Sequence, residues 1–209
     1  MSYGMQILRD DGYLWLSPDI TPLNLIQKIR ITTNNTYQTN VPSNKTCLGF
    51  YRTDSNTTFE IKYSNSGANW SFTAAKGMGS GWVYIFSNIA LVSSGYGIKL
   101  FNELGELTYS TDSIPLMINK YPVVNIGDAT SITDIGKQVA VMPGLVATRL
   151  TALNPALGIY LFGYNWSSAF GTSIGHQNTF SEQIEGQRPT FKFKQYIYYI
   201  DCSIYDQIQ

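Results

Sequence analysis

The chain has 209 residues, 14 Lys plus Arg against 14 Asp plus Glu, and only 13% charged residues, about half the usual share. That balance excludes the basic excess on which nucleic-acid binding rests. Hydrophobic residues at 44% and aromatics at 14% exclude a disordered chain, and no apolar stretch approaches membrane-spanning length.

Strand signals dominate from the start. Residues 3–8 read as one strand, Arg9-Asp10-Asp11-Gly12 as a turn, and residues 13–16 as the return. Asp-Gly is a hairpin signal because Gly accepts the positive φ of the reversal. A Ser-X-Asp-X-X-Pro-Leu segment follows, then expected strands over residues 23–32, 47–52, 58–63, 69–74 and 82–86. Trp82-Val83-Tyr84-Ile85-Phe86 is β-branched and aromatic throughout, as a buried strand tends to be. The glycines of Lys76-Gly77-Met78-Gly79-Ser80-Gly81 lack the spacing of a phosphate-binding loop and lead into a strand. The stretches 32–44 and 54–58, rich in Asn and Thr, read as outward loops.

Ser93-Ser94-Gly95 is the natural junction, because the opening then returns. Tyr3-Gly4-Met5-Gln6-Ile7-Leu8 recurs 93 residues later as Tyr96-Gly97-Ile98-Lys99-Leu100-Phe101, with Gly12 matched by Gly105 and Pro22-Leu23 by Pro115-Leu116. Eight of the 21 positions from Tyr3 to Leu23 are identical, without a gap. Such self-similarity implies two related units, here residues 1–93 and 94–209. Gly12 and Gly105 are expected to form the two turns. Further strands are expected over residues 113–118, 123–126, 137–142, 146–153, 158–166 and 191–200. No helix is expected. Short strands with frequent turn signals point to an all-β fold of two β-sandwich-like units, each opening with a similar hairpin.

Residues with chemistry are few. His176 is the sole histidine and no Gly-X-Ser-X-Gly elbow accompanies it. One His and two distant cysteines, Cys47 and Cys202, do not supply zinc spacing or a disulfide framework, so no metal and no cofactor is expected. The candidate carboxylate pairs for glycan cleavage are Glu182 with Glu185, Asp10 with Asp11, and Asp128 with Asp134, but each lies in a polar, turn-like stretch. No catalytic residue is assigned. Tyr160, Phe162, Tyr164 and Trp166 fall at every second position and line one strand face, either as inner packing or as a glycan-binding or subunit face. The segment Tyr196-Ile197-Tyr198-Tyr199-Ile200 is too apolar for a free edge, so Tyr196, Tyr198, Tyr199 and Ile200 are interface candidates unless the chain's own second sheet covers them. The second unit is thereby expected to make subunit contacts and the first to face outward.

The motif itself, Tyr3-Gly4-Met5-Gln6-Ile7 with Gly12 and Leu14, repeated as Tyr96-Gly97-Ile98-Lys99-Leu100 with Gly105 and Leu107, resembles segments in small virion proteins of tailed bacteriophages, particularly minor tail and tail-tip proteins. The resemblance covers about twenty residues in each half and carries over no functional residue. It implies a tail structural protein, made in the host cytoplasm and resident in the virion, that docks to other tail proteins in a multi-copy or homo-oligomeric assembly and touches a host surface glycan or protein. Nucleic acid and membrane insertion are not expected. The opening Met1-Ser2-Tyr3-Gly4-Met5 lacks a basic and apolar leader, in keeping with that expectation. Two alternatives stay open: a tail-associated enzyme cleaving glycan or peptidoglycan, and a tail assembly chaperone.

Overall fold

The computed structural model describes residues 7–8, 10, 14–16, 20–75, 79–92, 95–125, 127–185 and 195–207. The fold is all-β. A first hairpin joins β1 (Ile7–Leu8) to β2 (Leu14–Leu16). Six strands follow: β3 (Asn24–Thr32), β4 (Thr36–Pro42), β5 (Leu48–Thr53), β6 (Glu60–Ser64), β7 (Asn69–Ala75) and β8 (Ser80–Ser87). A second hairpin joins β9 (Lys99–Phe101) to β10 (Leu107–Ser110). The rest comprises β11 (Asn119–Tyr121), β12 (Thr130–Asp134), β13 (Val139–Val141), β14 (Leu145–Asn154), β15 (Ile159–Phe170), β16 (Ser173–Glu185), β17 (Ile197–Asp201) and a single helical turn α1 (Cys202–Tyr205).

The two hairpins share one register. Ile7 lies opposite Leu16 and Leu8 opposite Leu14; Leu100 lies opposite Tyr109 and Phe101 opposite Leu107. Each pair of the second is the first shifted by 93, and in both the extra, bulged residue falls at the same place, Trp15 and Thr108. The turn of the second hairpin is closed by Asn102 N–H to Glu106 O at 2.9 Å, and Gly105 has φ +76. Gly12 lies outside the described residues.

The repetition continues through the sheets. In the first half β8 lies between β3 and β5, and β7 between β4 and β6. In the second half β17 lies between β11 and β13, and β16 between β12 and β15. These are one antiparallel pairing pattern used twice, with β14 as an extra strand beside β15. The spacing shows where the copies differ. Lys28 and Tyr121 are 93 apart and oppose Tyr84 and Ile197, which are 113 apart. The second copy has therefore gained twenty residues between β13 and β17. They make β14 and lengthen β15 and β16 to 12 and 13 residues, against 5 and 7 for β6 and β7.

The copies meet at a seam. Tyr51 of β5 opposes Val141 of β13, and further along Thr53 opposes Phe170 of β15 in parallel, so strands of both halves form one ten-stranded sheet. A three-stranded sheet, β4-β7-β6, packs over one face through Val41, Ile61, Phe72 and Ala74. That core cluster also contains Val139, Val141, Ile174 and Ile197, so residue 93 divides two copies of a topology, not two separately packed cores. On the other face Phe50, Tyr84 and Phe86 are covered by α1 and by Leu23, Ile114 and Leu116. Trp82–Phe86 is apolar at successive positions because both its faces are covered: Val83 and Ile85 on one side, Tyr84 and Phe86 on the other.

Several local expectations change. Residues 36–42 and 130–134, read as loops, are β4 and β12, and β16 was not expected as a strand. Residues 123–126 were expected as a strand; the pairing strand is β11, just before them. Residues 113–118 contribute one isolated bridge, Asn24 with Pro115. The last strand spans residues 197–201 and a helical turn follows it; residues 191–194 lie outside the described residues.

Candidate functional site

The groups that sequence singled out for chemistry are dispersed and committed to structure. His176 sits on β16 between Ser131 of β12 and Ser167 of β15, which are its in-register neighbours. Neighbours opposite one another share a face, so this is the nearest approach to a Ser–His arrangement among the described residues. It is sealed. His176 is 1% exposed and Ser167 is fully buried. Ser167 Oγ donates to Met142 O at 2.7 Å, His176 Nε2 lies 3.0 Å from Val124 O, and His176 Nδ1 has no protein partner. Burial lowers the imidazole pKa below its ordinary 6.5, with the Val124 carbonyl and the Asp128 carboxylate acting the other way. Beside it a buried polar seam joins the halves: Thr58 Oγ1 donates to Ser167 O at 2.9 Å, Thr53 Oγ1 to Ala169 O at 2.9 Å and Ser168 Oγ to Thr57 O at 2.9 Å, while Tyr51 Oη bonds to Ser167 O as well. These side chains serve the backbone of the opposite half.

The carboxylate pairs do not converge. Glu182 and Glu185 are three apart on one strand, hence on opposite faces. Glu182 Oε1 accepts from Tyr164 Oη at 2.6 Å and Glu185 Oε1 from Gln183 Nε2 at 3.3 Å. Asp134 caps a turn, accepting from Gly136 N–H at 2.8 Å, a bond that lowers its pKa. Asp10 is exposed and Asp11 lies outside the described residues. No group of three or more His, Cys, Asp or Glu among the described residues is placed to hold a metal ion.

The richest polar cluster was not foreseen. Asp206, after α1, accepts from Lys28 Nζ and Tyr84 Oη, each at 2.6 Å, and lies 3.4 Å from Arg52 Nη2. Arg52 Nε donates to Tyr84 Oη at 2.9 Å. These partners hold the Asp206 carboxyl below its ordinary range against the opposing effect of burial. Cys202 beside them is buried, and burial pushes its thiol up to about 12; Cys47 is pushed up to about 11, and both are free thiols. A groove of about 520 Å³ beside the cluster is lined in part by Lys28, Trp82, Asp112 and Ile114. Lys28 Nζ and the Arg30 guanidinium lie 4.4 and 5.1 Å from the Trp82 ring centroid, so that ring carries cations where a sugar would stack. The cluster ties the C-terminal turn to β3, β5 and β8.

The interface candidates on β17 divide. Ile200 is fully buried in one core cluster and Tyr199 packs against the other, while Tyr196 and Tyr198 are exposed. The strand is flanked on both edges, by β11 and β13. Ile200 is therefore not available to a partner, because it is packed in the core cluster that contains Cys202 and Tyr205 of α1.

What remains is the arm made by β14 and the distal parts of β15 and β16. Its rows run Thr148–Tyr164–Phe180, Leu150–Phe162–Glu182 and Ala152–Tyr160–Ile184, all on one face. Phe162 and Tyr164 meet edge to face at 5.1 Å, and Tyr164 stacks on Phe180 at 5.7 Å. Of the aromatic stripe, Phe162 is buried by these neighbours and Tyr160, Tyr164 and Trp166 are half-buried; Phe180 is 46% exposed. The inner side of β15 is carried by the alternate residues Asn165, Ser167 and Ala169. The stripe thus lies on the face away from that inner side. Phe180 lacked a sequence signal because its neighbours in chain are polar. Comparison with protein-family models, with curated proteins and with solved structures finds no match to this chain.

Proposed function

We propose that this chain is a structural protein of a bacteriophage tail that works by binding other tail subunits, with the β14–β15–β16 arm as its docking element. The observation that carries the reading is the arm: one of two topologically equivalent halves has gained twenty residues, and they build an aromatic face at the periphery. Insertions into one copy of a repeat commonly form its binding face. Flat faces of Tyr and Phe bury large area at low entropic cost. The repeated Tyr-Gly hairpin motif supplies the tail context.

The test is made on particles. Mass spectrometry and immunogold labelling of purified virions should find the chain on the tail. Phe180→Asp, at an exposed position, should leave the isolated protein folded and reduce its incorporation by about tenfold or more. Absence from purified particles would sink the reading in favour of an assembly chaperone. Release of reducing sugars or muropeptides by the purified protein would favour the enzyme.

A further inference from the structure

The outer edge of β16 is open over residues 179–185. β12 covers that edge only as far as Gln177, opposite Thr130, and the ladder closes with Asn178 N–H to Ala129 O at 2.7 Å. Along a strand the backbone groups alternate between its two edges. Ser167 N–H of β15 bonds to Gly144 O, away from β16, so Phe162 and Tyr160, at the alternate positions of β15, direct their groups to β16. Their partners Glu182 and Ile184 use theirs on β15. The N–H and C=O groups of Ser181, Gln183 and Glu185 therefore point outward, where they meet no strand among the described residues.

An open edge is a template for another strand unless it is short, charged with Lys, or broken by Pro. Such guards stand on other strands: β11 has 3 residues with Lys120 at its centre, β6 carries Lys62, and β4 ends at Pro42. β14 is met by Gln195, whose N–H donates to Val146 O at 3.1 Å. Residues 179–185 contain no Lys, Arg or Pro.

We infer that two copies of this chain join edge to edge here, β16 against β16, antiparallel about a two-fold axis at Gln183. In that register the sequence is complementary to itself. Gln183 faces the partner's Gln183, and the two carboxamides can bond to each other. Ser181 faces the partner's Glu185, a hydroxyl donor against a carboxylate. Glu182 faces the partner's Ile184, so no carboxylate lies directly opposite another, where the two would repel. The pairs made by Ser181, Gln183 and Glu185 exchange both backbone bonds, and these main-chain bonds supply the affinity, as in strand addition generally. The overlap is confined to the tips of the arms, so the two bodies stand clear at opposite ends. A join of this symmetry closes at two copies. It uses the edge of the arm and not its aromatic face, and it does not rest on the virion reading. Association is read on the isolated chain and incorporation on particles, so either can fail alone.

Sedimentation velocity of the full chain over a concentration series is the test, with Gln183→Pro as the variant. The wild type should dimerise with about micromolar affinity. The Gln183 N–H points away from β15, the one setting in which a strand tolerates Pro. Gln183→Pro should therefore keep its fold by circular dichroism and be monomeric. Cysteine cross-linking reads the register independently, should that variant unfold. Directly opposed residues lie about 5.5 Å apart between Cα atoms, within reach of a disulfide. Gln183→Cys should give a covalent dimer on mild oxidation. Ser181→Cys should not, and neither should the wild type, whose Cys202 is buried and Cys47 half-buried. A wild-type monomer at about 100 µM, where a micromolar dimer is formed, overturns the inference. So does a dimer indifferent to Gln183→Pro, or equal cross-linking through positions 181 and 183.

Discussion

His176 is held neutral by its surroundings. Its folded pKa lies below 6.5, so as pH falls the unfolded chain takes the proton first. Stability is then fully present above about pH 6.5 and lost as pH falls toward the depressed folded pKa. Urea midpoints measured from pH 7.5 to 5 should fall for the wild type and change less for His176→Gln. Equal slopes would show that the imidazole does not govern acid stability. Gly175, beside it, is fixed by space: a Cβ there would lie 1.9 Å from Ser131 O. Gly175→Ala must push β12 away, at a cost of about 1–3 kcal/mol in chemical denaturation. Neither role was visible in sequence, where His176 is a sole histidine without an accompanying motif and Gly175 carries no signal of its own. Gly105 was visible, because Asn102-Glu103-Leu104-Gly105 repeats the turn logic of the first hairpin, and it has φ +76. Gly105→Val should cost about 1 kcal/mol or more, seen as faster amide exchange confined to β9 and β10.

Among the elements, β8 and the hairpins were legible and β4, β12 and β16 were not. The difference is physical. β8 is covered on both faces, so its sequence is apolar throughout. In β4, Thr39 and Val41 are buried while Gln38 and Asn40 are exposed, and a buried Thr conceals the alternation. β12 and β16 are mostly polar in sequence, with Ile174 of β16 in the core cluster but no run of alternating apolar residues to mark either strand. The arm's aromatic stripe could be seen at its period of two, but not its orientation, since inward positions are filled by Asn165 and Ser167. The C-terminal turn gave no helical period because it is one turn long; Asp201 caps it, accepting from Ser203 N–H at 3.0 Å. Its burial is nonetheless complete at Tyr205, which meets Phe86 edge to face at 5.1 Å and donates to Pro115 O at 3.0 Å. Deleting residues 202–209 is therefore a folding experiment: it uncovers Phe86 and Tyr84 and should cost at least about 3 kcal/mol. Asp206→Asn should cost about 2 kcal/mol, through its charged hydrogen bonds. Because the Asp206 pKa is lowered, that contribution is present above its ordinary 3.8 and lost as pH falls below it. An unaltered urea midpoint for either variant at pH 7 would show that the C-terminal turn is ornamental.

For the whole molecule, the repeat in sequence covers 21 positions, yet the pairing pattern repeats across both halves. Topology outlasts sequence because strand order depends on pattern and turns, whereas individual side chains are free to drift. The shared core has a measurable consequence. Residues 1–93 and 94–209 made as separate chains should each lack fixed tertiary structure and regain it when mixed, as read by near-ultraviolet circular dichroism. Native signals from either fragment alone would mean that the seam is dispensable. The seam also sets a timetable. As the chain leaves the ribosome, β3, β5 and β8 are complete by residue 87, but the partner strand for β5 begins at residue 139. At roughly 5–20 residues per second the outer edge of β5 stays unpaired for several seconds. During that interval the nearest matching edge belongs to β5 of another nascent chain, or to β13 of a neighbour on the same message. Slow or crowded translation therefore favours exchange of halves between chains, and a rare codon placed between β8 and β13 should raise the share of domain-swapped product.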